Sequence, residues 1–126
     1  MRLLLDTHVF LWAINQPDRL SANARHWLEA DVAPFFSVAS QWEIALKVQS
    51  GKLKIRNPVD FLPKHMEALK VAGLAVKSAH VLRTFGLPDH HKDPFDRLLV
   101  AQALHEDCAI VTSDPMIARY PVNIIW

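Results

Sequence analysis

A chain of 126 residues and 14.3 kDa is one domain's worth of polypeptide, so a single domain over residues 1–126 is expected. Hydrophobic residues make up 51% and charged residues 21%, with a net charge of +1, which excludes an intrinsically disordered chain. The lone cysteine, Cys108, excludes an internal disulfide and a cysteine-built zinc cluster, and fits a reducing, cytoplasmic setting. No apolar run approaches the roughly 18 residues of a membrane span, and Asp6 and His8 interrupt the apolar N-terminal stretch before it resembles a signal peptide.

In chain order, Arg2 to Asp6 predicts a short buried strand that ends in an acid, followed by a helix over Thr7 to Ile14. The cluster Asn15, Gln16, Pro17, Asp18 stops that helix, and Ser21 caps the next, about Ala22 to Ala30. Pro34 to Val38 predicts a second strand, and Ser40 to Ser50 a helix closed by Gly51. Lys52 to Arg56 alternates basic and apolar residues, as an edge segment or a solvated arm would. Asn57-Pro58 opens a further helix that Pro63 is expected to split and Gly73 to end. Leu74 to Val76 predicts a brief strand, and Ser78 the cap of a short helix that stops near Gly86. After a polar loop, Asp89 to Asp93, come an apolar helix (Phe95 to His105), a strand (Ala109 to Thr112), a short helix (Asp114 to Arg119) and a last strand (Asn123 to Trp126).

Short apolar strands alternating with helices predict an α/β fold, a three-layer α/β/α sandwich around a short central parallel sheet. Ligands bind such sheets outside the carboxyl ends of the strands. Asp6 and Asp114 follow strands, and Glu43 and Asp96 are expected in the first turns of helices that face the same edge. Four carboxylates at one mouth repel one another unless a cation joins them, and an all-oxygen set suits Mg²⁺ or Mn²⁺. Such a site can activate water and neutralise charge on a phosphodiester.

Each acid also has a plainer reading. Ser40-Gln41-Trp42-Glu43 has the pattern of a capping box, and Lys47 stands four residues beyond Glu43 to pair with it. Asp93 or Asp96 suits a helix start, Asp114 can cap the turn after it, and Asp6 can cap the helix from Thr7. Asp89-His90-His91 reads as a solvated loop, and Trp12, Trp27 and Trp42 as packing residues, with a groove for a partner helix the alternative for Trp12 and Trp42. Lys47, Lys52, Lys54 and Arg56 form either a solvated face or a phosphate contact, and Arg97 is either an ion-pair partner of Asp96 or a phosphate ligand. There is no Walker A motif, no Gly-x-Gly-x-x-Gly and no Gly-x-Ser-x-Gly elbow, which removes the enzyme classes built on them.

Taken together, Leu3-Leu4-Leu5-Asp6-Thr7-His8, Ser40-Gln41-Trp42-Glu43, Asp93-Pro94-Phe95-Asp96-Arg97 with the apolar run to Ala103, and Thr112-Ser113-Asp114 resemble the PIN-domain family. The chain looks most like the VapC-type toxins of bacterial toxin–antitoxin pairs, and the resemblance covers essentially its whole length. It implies an α/β/α sandwich and an endoribonuclease dependent on Mg²⁺ or Mn²⁺. Asp6, Glu43 and Asp96 match the family's first three acids, and Asp114 its more variable fourth. Asp6 and Asp96 would hold the main cation, with Glu43 and Asp114 on a second ion or its waters. Arg97 and Lys47 are the candidate substrate contacts. The implied partners are a structured RNA such as transfer RNA, a cognate antitoxin and a second copy of the chain. The alternative from another class is a catalytically silent PIN-like module that binds RNA or protein.

Overall fold

The computed structural model describes residues 1–126. Five strands, β1 (Arg2–Leu5), β2 (Phe35–Ser37), β3 (Ala72–Leu74), β4 (Cys108–Val111) and β5 (Ile124–Ile125), form one parallel sheet in the order β3-β2-β1-β4-β5. The chain builds outward from β1 to β3, then returns to lay β4 on the other side of β1. The order therefore reverses between β1 and β4, and the crevice beyond their carboxyl ends is where such sheets bind ligands.

Six helices cover the sheet: α1 (Thr7–Asn15), α2 (Ala22–Glu29), α3 (Val38–Gln49), α4 (Pro58–Ala68), α5 (Ser78–Arg83) and α6 (Pro94–Glu106). The three-layer sandwich follows from the alternation of side chains along the strands. Leu3 and Leu5 of β1 and Ala109 and Val111 of β4 enter one core with Val9 and Phe10 of α1, Ala24 of α2 and Ile44 of α3. Leu4, Cys108 and Ile110 point the opposite way, onto Leu99, Val100 and Ala103 of α6. Phe10 stacks on Phe36 at 4.0 Å between ring centroids, fixing α1 over β2. Cys108 packs in the second core, and burial pushes its thiol up.

Several boundaries differ from the sequence expectation. Ser37, not Ser40, caps α3: its hydroxyl accepts the Ala39 N–H at 3.1 Å. Ser40 is buried inside the first turn and Glu43 falls in the second, so the expected capping box does not form. Pro63 lies inside α4 without splitting it, and the helix ends at Ala68, ahead of Gly73. Gly73 belongs to β3, which runs two residues earlier than expected because its pairing with β2, rather than its own apolar content, defines it. The Lys52 to Arg56 segment is no strand; Leu53 and Ile55 pack on the core while Lys52, Lys54 and Arg56 stay exposed. Ser78 is the first residue of α5 rather than its cap, and Asp114 to Arg119 forms a turn with a 3₁₀ segment, Ile117–Arg119. Trp42 is 61% exposed, against the expectation of packing, with only Phe95 as an aromatic neighbour.

Leu4 is fully buried beneath α6. Leu4→Ala is expected to lower unfolding stability by about 2–5 kcal/mol in urea denaturation, whereas Val59→Ala, on the exposed side of α4, stays within about 0.5 kcal/mol of the parent.

Candidate active site

The strand register brings the first two polar groups together. Leu5 pairs with Val111, so Asp6 and Thr112, one step further along each strand, stand side by side at the β1/β4 crevice. The Thr112 hydroxyl donates to Asp6 Oδ2 at 2.7 Å and accepts the Asp114 N–H at 3.0 Å. One side chain thus ties two acids to the sheet edge. Asp6 stands at the N-cap position of α1 but makes no side-chain capping bond, which disposes of the plainer reading for it. Asp114 does serve its turn, since Oδ1 accepts the Met116 N–H at 2.8 Å.

Asp93 and Asp96 divide their roles. Asp93 Oδ1 accepts the Phe95 and Asp96 N–H groups at 2.9 and 3.1 Å, capping α6 behind Pro94. Asp96 lies one turn in and feels the charges of both Asp6 and Asp114. Its carboxyl is pushed up to about 7, chiefly by burial, against a hydrogen bond from His91, with Asp93, Asp6 and Asp114 raising it further. Burial also raises Asp6, against the Thr112 hydrogen bond and the charge of exposed His8, while Asp114 adds to the rise. Glu43 reaches the group through α1: Thr7 donates to its Oε1 at 2.6 Å.

All four expected acids therefore stand at or beside one crevice, three of them coupled by charge and the fourth tied to the residue after Asp6. The two expected substrate contacts are otherwise engaged. Lys47 Nζ pairs with Glu43 Oε2 at 3.3 Å. Arg97 pairs with no acid; its guanidinium donates to the carbonyls of Pro88, His91 and Thr84 and to the Tyr120 hydroxyl, which fastens it to the fold. Three contributors escape sequence reasoning: Thr7, Thr112 and His91. His91 is no solvated loop residue, since its ring spans from Tyr120 Oη at 2.8 Å to Asp96 Oδ2 at 3.1 Å. Strand register is the signal that would have found Thr112.

The donor set fits a hard divalent cation. It consists of carboxylate oxygens in mutual repulsion, two of them raised, which is the condition a cation relieves. A second group, His80, His105 and Glu106, has its ligand atoms within 4.8 Å of one another. It does not suit a metal. His80 Nδ1 accepts the Lys77 N–H at 3.0 Å, so the proton sits on Nε2 and donates to Glu106 Oε1 at 3.0 Å. A cation there would require an imidazolate, beside the positive charges of Lys77 and Arg2. The group ties α5 to α6, and the His80 hydrogen bond holds Glu106 below the usual carboxylate range.

A parallel sheet with an acidic crevice at its topological switch defines a class of α/β proteins, and comparison with known proteins gives the family. The PIN domain family matches residues 3–123, and the chain belongs to it. Ribonuclease VapC22 of Mycobacterium tuberculosis is 29% identical over 130 residues, covering 98% of both chains. A chain of VapBC2 from Rickettsia felis, crystallised bound to a DNA fragment from its promoter, superposes with a TM-score of 0.73 at 15% identity, over 98% of this chain and 97% of that one. A chain of DNA-bound VapBC from Salmonella typhimurium superposes at 0.70 with 14% identity, over 98% and 96%. These solved structures share the sandwich fold.

The raised carboxyl of Asp96 makes stability depend on pH. Between its ordinary value of 3.8 and about 7, the folded chain keeps a proton that the unfolded chain has lost, so stability falls as pH rises through that window. In chelator at pH 8, Asp96→Asn is expected to be more stable than the parent by about 1–3 kcal/mol in urea denaturation, with a flatter pH profile.

Proposed function

We propose that the chain is a divalent-metal-dependent endoribonuclease, the toxin of a toxin–antitoxin pair. One observation carries the reading: Asp6, Asp96 and Asp114 crowd the β1/β4 crevice with two of them raised by burial and repulsion. Membership of the PIN family and likeness to a protein named a ribonuclease support it.

Asp6 and Asp96 would hold the cation in this reading, each with Oδ2 oriented by a hydrogen bond, from Thr112 and from His91 respectively. Asp114 offers the oxygen that Met116 does not take. Glu43 has Oε1 on Thr7 and Oε2 beside Lys47, which suits it to holding water at the edge of the site rather than to direct ligation. Bound Mg²⁺ or Mn²⁺ supplies the positive charge that keeps the carboxylates ionised and offsets charge building on a phosphodiester under hydrolysis. Thr112 and Thr7 keep Asp6 and Glu43 oriented before any substrate arrives. Exposed Lys52, Lys54 and Arg56 are free to meet phosphates of the RNA. The products expected are a 5′-phosphate and a 3′-hydroxyl.

Transfer RNA is the structured substrate class to test first. A cognate antitoxin is the protein partner, in keeping with the VapBC names of the similar solved structures. A homodimer in the cytoplasm goes with the same reading.

Purified chain, free of antitoxin, is expected to cut total bacterial RNA into discrete fragments with Mg²⁺ or Mn²⁺ and to stop in chelator. Asp6→Asn and Asp96→Asn are each expected to lower the rate by about 10²-fold or more with the fold intact by circular dichroism. Full activity in both variants overturns the reading.

A further inference from the structure

His91, Tyr120 and Arg97 form a linked set that the acids alone do not explain. Tyr120 is buried, 3% exposed, and its hydroxyl has two partners, Arg97 Nη1 at 3.1 Å and His91 Nδ1 at 2.8 Å. A guanidinium only donates, so the Tyr120 oxygen accepts from Arg97. The phenolic proton then needs an acceptor, and His91 Nδ1 is the one within reach. With Nδ1 accepting, the ring's own proton lies on Nε2, and it points at Asp96 Oδ2 at 3.1 Å. Every hydrogen bond in the set now has a direction, running from Arg97 through Tyr120 and His91 to Asp96. Its origin is rigid, because the same guanidinium is fastened to the carbonyls of Pro88, His91 and Thr84.

We propose that this relay makes His91 a positioning residue for Asp96. The ring, locked in its Nε2–H tautomer by Tyr120, holds Oδ2 and so fixes the orientation in which the Asp96 carboxylate would meet a divalent cation. The inference rests on the reading of Asp96 as a metal ligand. Groups that orient a ligand from behind in this way typically change metal affinity by about 10–100-fold when removed. Tyr120 acts at one remove, through the tautomer it imposes. Arg97 fixes the start of the relay.

The test reads metal binding and tautomer, not turnover. Mn²⁺ binding is followed by calorimetry for the full chain and for Tyr120→Phe, His91→Ala, His91→Gln, Asp96→Asn and the double variant Tyr120→Phe/His91→Gln. The imidazole tautomer is read from long-range proton–nitrogen NMR spectra of the metal-free chain. The parent is expected to show His91 protonated on Nε2 alone, and Tyr120→Phe to show a mixture. Tyr120→Phe and His91→Ala are expected to weaken Mn²⁺ binding about 10-fold. A glutamine amide donates without help from Tyr120, so His91→Gln is expected to regain part of the affinity, and adding Tyr120→Phe to it to cost nothing further. A structural role alone would not produce that pattern, because both variants keep the buried ring or the loop polarity. Parent-like Mn²⁺ affinity in Tyr120→Phe and His91→Ala, with binding lost in Asp96→Asn, overturns the relay and leaves the metal reading standing. Parent-like affinity in Asp96→Asn overturns both.

Discussion

Carboxylates held together out of water at the end of a parallel sheet are the constraint around which this molecule is arranged. Asp6 is 6% exposed and sits where β1 leaves the core, so its charge is poorly hydrated and Asp114 and Asp96 stand within reach of it. Burying like charges together is unfavourable without a compensating ion, and the raised carboxyls express that conflict. The surrounding polar residues answer it locally. Thr112 and Thr7 donate hydroxyl protons to two of the carboxylates, His91 donates to a third, and a backbone N–H meets the fourth. Each acid retains at least one hydrogen bond that orients it while the cluster as a whole stays short of positive charge.

The scaffold makes this arrangement possible because it is stiff where the acids attach. β1 and β4 are buried on both faces, and their alternating side chains feed two separate cores. A one-residue shift of either strand would exchange the side chains that fill the two cores and spoil the packing of both, so the register that places Asp6 beside Thr112 is held by that packing. The hydrogen-bonded tie of His80, Glu106, Lys77 and Arg2 does similar work at the opposite end of α6, joining α5, α6 and β1.

Local chemistry made part of this legible in the chain alone. Three leucines followed by an acid announce a buried strand ending at a carboxylate, and Asp93-Pro94 announces a helix start. What the sequence did not disclose depends on contacts between distant segments. Thr112 acquires its role from the pairing of Leu5 with Val111, and His91 from a loop fold that brings it against Tyr120, 29 residues later. Ser37 and Ser40 are both plausible caps, and only the end of β2 decides between them. Edge strand β3 carries one buried residue, Leu74, too little apolar content to mark its true start. The helical position of Trp42 predicts packing, yet on α3 it faces solvent beside Phe95.

The order of the sheet also bears on synthesis. The central strand β1 is made long before its neighbour β4, so a chain emerging from the ribosome cannot pair Leu5 with Val111 until the six intervening helices have been translated. Until then Asp6 has no Thr112 to orient it, and Asp114 has not been made. The acidic crevice is thus assembled only after β4 and the turn that follows it have been made, and a nascent segment that stops short of them carries none of its complete form.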